Sequence, residues 1–269
     1  MKLAPWTRIS LRTIVLVYLA VLLILPLGII LWRTFGHGVG EFFTSITTPA
    51  AVSAFNLSIL IVAIVVPLNV VFGVLTALAL VRGKFPGRNL IQGLVDLPFA
   101  VSPVVVGVSL IMLWGVNGWF GGLEHHGLKV IFNLPGMVLA TIFVTLPFVV
   151  REVEPVLHEI GDDQEQAAAT LGASRWQTFW RITLPAIRWG LTYGIVLTVA
   201  RALGEFGAVI MVSTALPGKS QTLTLLVEGR YTNDHNTFGA YCAATLLMGI
   251  ALVVLLLMTL LERKRGTAK

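Results

Sequence analysis

The chain has 269 residues, of which 56% are apolar and only 12% charged, and its mean hydropathy is +0.87. A water-soluble globule carries about 25% charged residues, so this composition excludes a soluble catalytic domain. The one cysteine, Cys242, can form neither an internal disulfide nor a thiolate metal cluster.

Stretches 14–32, 55–81, 97–116, 130–150 and 238–261 contain no Asp, Glu, Lys or Arg. Each has about the length a helix needs to cross roughly 30 Å of hydrocarbon. A sixth stretch, 189–216, is interrupted only by Arg201 and Glu205. Six spans put both termini on one side. The first, 19 residues after Lys2, Arg8 and Arg12, is too long for a signal-peptide core of about 7–15 residues, and no small-x-small cleavage site follows Trp32. It is expected to be a retained helix. With the N-terminus inside, fourteen Lys and Arg fall on inner segments, and four, Arg33, Lys129, Lys219 and Arg230, fall outside. The net charge of +6 is then a positive-inside signal and not a nucleic-acid footprint.

The outer connections are 33–54, 117–130 and 217–237. On the inside, 151–188 is the largest segment, and it holds six of the thirteen acids: Glu152, Glu154, Glu159, Asp162, Asp163 and Glu165. An acid-rich inner loop runs against the usual charge bias, so something other than lipid is expected to face it. Asp162 or Asp163 can cap a short helix over 164–171, and Gly172 supplies the permissive backbone of its end. Ser174 with Gln177 matches a capping box for a second helix, which Pro185 should end. On that helix Trp176, Phe179, Trp180 and Thr183 recur at helical spacing as a large aromatic face. The shape expected is a helix–glycine–helix elbow suited to docking.

Gly218-Lys219-Ser220 looks like the end of a phosphate-binding loop, but the glycine required five residues earlier is Ser213. The chain is therefore not expected to hydrolyse nucleotides. Glu124, His125 and His126 cluster in an outer loop without the spacing of a metal site, and read as surface loop. No span holds a histidine and no G-x-S-x-G occurs. A membrane enzyme is accordingly the weaker class, and no metal or catalytic residue is expected.

Residues 166–185 run Gln-Ala-Ala-Ala-Thr-Leu-Gly, continue through Ala173–Arg181, and end Ile-Thr-Leu-Pro. This resembles the EAA loop of ABC-importer permeases, E-A-A-x3-G-x9-I-x-L-P. Ala167, Ala168, Gly172, Ile182, Leu184 and Pro185 match, while Gln166 stands at the family glutamate and Glu165 precedes it. Residues 96–107 (Asp-Leu-Pro-Phe-Ala-Val-Ser-Pro-Val-Val-Val-Gly), 201–208 (Arg-Ala-Leu-Gly-Glu-Phe-Gly-Ala) and 221–228 (Gln-Thr-Leu-Thr-Leu-Leu-Val-Glu) resemble the sulfate/thiosulfate permeases. Gly-Glu-Phe-Gly at 204–207 is closer to their W-type subunit than to the T-type. Molybdate and tungstate permeases share much of the 96–107 and 201–208 pattern and remain an alternative. A secondary transporter or channel would have no use for the elbow.

The resemblance implies an all-α membrane protein of about six transmembrane helices with the type I ABC importer, MetI-like, permease fold. It further implies an N-terminal helix and outer loop over 1–53, a core domain over 54–262 with the EAA loop at 152–187, and a cytoplasmic tail at 263–269. A T-type permease, two copies of an ATPase and an extracytoplasmic binding protein would be its partners. ATP and Mg would sit on the ATPases and no cofactor on this chain. Glu165, Gln166, Ala167, Ala168, Gly172, Ile182, Leu184 and Pro185 would couple to the ATPase through the 164–185 elbow.

Arg201 and Glu205, four apart, are expected to share one helix face. Each charge costs about 2.5–3.5 kcal/mol at the bilayer centre, so neither should face lipid. Gly190, Gly194, Thr198 and Ala202 recur every four residues on that span, which suits a close helix interface, with the partner permease as one possible neighbour. The charges form either a plain Arg–Glu pair, with Asp96 as a third member, or a source of positive potential on an oxyanion route.

Overall fold

The computed structural model describes residues 5–122 and 127–266, and among these there is helix and loop but no strand. Glu124, His125 and His126 lie outside the described residues. Helix α1 (Pro5–Leu19) runs through a π-turn, Ala20–Ile24, into α2 (Leu25–Phe35). The span they make exposes its apolar side chains along its length. In its last turn Thr34 is buried and hydrogen-bonds Thr245, oxygen to oxygen 2.8 Å.

The connection expected over 33–54 is largely helical, with α3 (Val39–Ile46) followed by the start of α4 (Pro49–Arg82). Thr48 caps α4 by accepting from Ala51 N, and Pro49 occupies the first turn, where its missing N–H costs nothing. Apolar residues surround α4 on every side, as befits a helix buried among others or facing hydrocarbon.

The stretch expected to be a third straight span, 97–116, is two helices. The path bends by 115° between α5 (Arg88–Ala100) and α6 (Pro103–Trp114). Val101 and Ser102 are extended, and for Ser102 the cause is the ring of Pro103, which disfavours helical backbone in the residue before it.

The centre of the molecule is α4, α7 (Leu134–Ile160) and α10 (Leu184–Leu203). α7 runs parallel to α4: Asn69 donates to Thr145 Oγ1 at 2.6 Å, a Cβ on Gly73 would meet Val149 at 2.7 Å, and Arg82 reaches Leu157 O. α10 runs antiparallel along α7, with Gly190 against Glu152 and Gly194 against Val149. Lipid tails are as apolar as leucine, so burial from water does not hold such helices together; close packing and interhelical hydrogen bonds do. The small-residue face of α10 therefore packs within this chain, on α7, and does not await a partner. Ile61, Val65, Met137, Val144, Val209 and Val212 fill one core, and Leu80, Val149, Val153, Leu157 and Ile187 fill a second nearer the elbow.

The apolar stretch 189–216 is not one helix either. α10 ends at Leu203 with Gly204 as its cap, and α11 (Gly207–Val212) starts afresh. The connection 217–237 contains α12 (Leu223–Thr232), and α13 (Thr237–Gly266) is the last span. Arg230 of α12 is buried and donates to Ser45 O, Thr48 Oγ1 and Gly239 O, clamping the α3–α4 junction to the start of α13. Burial among these neutral acceptors lowers its pKa, opposed by the nearby Cys242 and Asp234.

Candidate functional site

Two regions carry polar groups that packing alone does not require. The first is the elbow. α8 (Asp163–Thr170) has the expected length and starts one residue earlier than expected, and Asp162 at its N-cap makes no side-chain capping bond. Its C-terminus is a Schellman turn, with Ala173 N donating to Ala168 O and Gly172 N to Ala169 O, both at 3.0 Å. Gly172 holds φ +85°, a left-handed backbone that a side chain would strain.

Ser174 and Gln177 then form the expected capping box, with Gln177 N donating to Ser174 Oγ and Ser174 N to Gln177 Oε1. The helix it opens, α9 (Arg175–Thr178), does not stop at Pro185. It passes through a π-turn, Phe179–Thr183, directly into α10, where Pro185 falls in the first turn and has no interior hydrogen bond to break. The π-turn also changes the helix phase. Trp176, Phe179 and Trp180 stay together, with the two indole centroids 5.5 Å apart, while Thr183 is turned inward and buried.

The outer surface of the elbow is apolar and open. Leu171 is 89% exposed, Trp176 70% and Trp180 50%. Gln166, Ala167 and Pro185 are exposed too, while Ala168, Ile182 and Leu184 are half-buried. Glu165 does not join this surface. Its carboxylate faces inward, with Oε2 3.0 Å from Arg82 Nε and Oε1 accepting from Thr183 Oγ1 at 2.8 Å.

The second region is where the chain breaks twice. The α5–α6 break and the α10–α11 break lie side by side: a Cβ on Gly207 would stand 3.1 Å from Pro103 Cβ, and one on Gly107 2.8 Å from Ala208 O. Irregular backbone at membrane depth is tolerated where protein buries it or it lines a cavity. Here it lines one. Residues 98–103, Val144, Phe148 and Arg201 surround about 480 Å³, and Arg201 is the one charged group among them.

Arg201 stands in the last turn of α10, while Glu205 lies past the helix end, yet the two still meet, Nη1 to Oε2 at 2.6 Å. The pair is lopsided: the Arg201 side chain is 32% exposed and that of Glu205 1%. Glu205 Oε1 also accepts from Ala208 N at 2.7 Å in the first turn of α11, and its carbonyl accepts from Thr224 Oγ1. The carboxylate therefore closes the helix break and pins one edge of the guanidinium, and the rest of Arg201 is directed to the cavity.

Asp96 is not a third member of this pair. It accepts from Arg151 Nε and Nη2, at 3.0 and 2.6 Å, on the facing helices α5 and α7. Arg151 in turn lies 5.9 Å over the ring of Phe99, which meets Phe148 edge-on. Arg151 and Arg82 are functional candidates that reading the chain did not single out. Both sat in runs counted only as inner charge, and only folding gives each its carboxylate.

Residues 69–267 match the model of a family described as the binding-protein-dependent transport system inner membrane component. The chain belongs to this family. Among relatives of this permease, a "Sulfate transport system permease protein CysW" of Synechococcus elongatus is 49% identical over 96% of this chain and 90% of its own. A "Sulfate transport system permease protein CysT" of a Synechocystis species is 34% identical over 96% and 91%. The chain is thus nearer the W-type sequence than the T-type. The fold matches a bacterial alginate ABC transporter crystallised with an alginate pentasaccharide-bound periplasmic protein, with TM-score 0.79 and 19% identity over 96% of this chain and 94% of that one. The architecture is that of a type I ABC importer permease in the inner membrane.

Proposed function

We propose that this chain is the W-type permease subunit of an ATP-driven importer of sulfate, with thiosulfate as a second substrate. The observation that carries the reading is the cavity at the α5–α6 break, whose one charged lining group is an arginine from the last turn of α10. A doubly charged oxyanion needs positive potential to leave water, yet a site that binds too strongly stops conduction. Glu205 tempers Arg201 without neutralising its exposed face. The 49% identity to a sulfate permease supports the choice of anion over molybdate or tungstate.

In this reading a T-type permease completes the pathway, an extracytoplasmic binding protein delivers the anion, and two ATPase copies receive the elbows. ATP and Mg act on those subunits, and this chain carries no catalytic site. Both termini and the elbow face the cytoplasm. Among the described residues no group of three or more His, Cys, Asp or Glu could hold a metal ion. The test is uptake of labelled sulfate by the reconstituted complex with thiosulfate, molybdate and tungstate as competitors. Thiosulfate should compete and the metal oxyanions should not; preferential inhibition by molybdate would overturn the assignment. The double variant R201Q/E205Q, which strands neither charge, should assemble and lose most uptake.

A further inference from the structure

We infer that Arg82 and Glu165 form the joint through which the elbow moves the membrane helices, so that Glu165 positions the elbow from within and is not a contact to the ATPase. The inference rests on the importer reading and concerns how hydrolysis reaches the spans.

Arg82 is the last residue of α4. Its guanidinium donates Nη1 to Leu157 O at 3.2 Å and Nη2 to Gly161 O at 2.6 Å, satisfying carbonyls that the end of α7 would otherwise leave unpaired. A cation there also meets the negative end of the helix dipole. The same guanidinium holds Glu165 through Nε at 3.0 Å, with Nη2 at 3.5 Å from the other carboxylate oxygen. That oxygen accepts the hydroxyl of buried Thr183, in the π-turn that becomes α10. One arginine and one carboxylate thus join the ends of α4 and α7, the first elbow helix, and the root of α10.

Apart from Phe179 and Leu184, which pack against the core near the end of α4, the elbow has few inward contacts. α8 has no buried residue, and its Schellman turn at Gly172 leads to side chains that are mostly open. A displacement applied at Leu171 or Trp176 therefore reaches the three central spans through this joint and through the backbone of α10. A fork geometry is required, because two carbonyls at the end of α7 and both carboxylate oxygens of Glu165 on α8 are held at once, and only a guanidinium presents donors in that arrangement. The neighbouring Gln166, at the position where the family has its glutamate, is exposed and free to meet the ATPase.

The test uses the full complex in proteoliposomes and reads sulfate transported per ATP hydrolysed. R82Q and E165Q should retain the ATPase subunits and basal hydrolysis, while transport per ATP falls about tenfold, the scale of one lost charge-assisted hydrogen bond. R82K, which keeps the cation at the end of α7 but loses the fork, should retain only part of the wild-type ratio. A merely structural role would lower complex yield and leave the ratio unchanged, which would overturn the joint, as would loss of the ATPase from E165Q alone. Should neither Gln variant assemble, T183V decides: it removes only the hydroxyl bond, and an unchanged ratio refutes the proposal. If the wild-type complex moves no sulfate, the importer reading is at fault. The joint is then judged by ATP-driven distance changes between spin labels at Ala173 and Gly218, which R82Q should abolish and which, if preserved, dismiss it.

Discussion

Replacing Arg201 by Gln leaves the Glu205 carboxylate without its cation in a site where its side chain is 1% exposed. Removing one partner of a buried pair costs about 3–5 kcal/mol, because the remaining charge stays desolvated. The reverse change is milder. In E205Q the amide oxygen can still accept from Ala208 N, and Arg201, 32% exposed, keeps access to the cavity. Its cost should be about 1–2 kcal/mol, in the range of a lost hydrogen bond to a charged group. The double variant strands neither charge and should be less destabilised than the sum of the singles by about 2 kcal/mol, the size expected of directly coupled neighbours. Equilibrium unfolding in mixed detergent micelles, followed by helical circular dichroism, measures all four corners of the cycle. Against a total stability of about 5–15 kcal/mol, even R201Q should remain folded. If E205Q proves as costly as R201Q, or if the two losses simply add, the carboxylate is not buried against this arginine and the account of the helix break fails.

Gly190→Ala should act as a wedge, since its Cβ would stand 2.5 Å from Glu152 O and the backbone of α7 cannot give way like a flexible side chain. A loss of about 1–3 kcal/mol is expected for such overpacking, and an unchanged unfolding midpoint would contradict the α7–α10 packing. Gly172→Val meets no neighbour within 4 Å, so its penalty is confined to the left-handed backbone, about 1–2 kcal/mol. The spans should unfold as in wild type while uptake falls, and normal uptake would count against the elbow as the coupling element. Orientation is checked by an impermeant thiol reagent on intact cells. It should label a cysteine at Gly218 but not one at Ala173, and the opposite pattern would reverse the topology.

Much of this protein is legible along the chain because its determinants are local. Uncharged stretches of bilayer length locate the spans, since an unpaired charge in hydrocarbon is costly wherever it lies. The capping box at Ser174 and the left-handed turn at Gly172 involve bonds between residues three to five apart, so the elbow could be drawn from sequence alone.

What failed was continuity. Hydropathy counts apolar residues but is blind to bends, so 97–116 and 189–216 read as single spans although Pro103 and the Gly204–Phe206 segment break them. The opposite error occurred at Pro185, where a helix breaker becomes harmless because a π-turn places it at a helix start. Pairing of charges distant in the chain lay beyond the sequence. Arg201 and Glu205 are neighbours in the chain and could be matched. Asp96 finds Arg151 and Glu165 finds Arg82, at separations of 55 and 83 residues. Such partners are chosen by which helix ends the packing of α4, α7 and α10 brings together, and that is decided only when glycines let those backbones close.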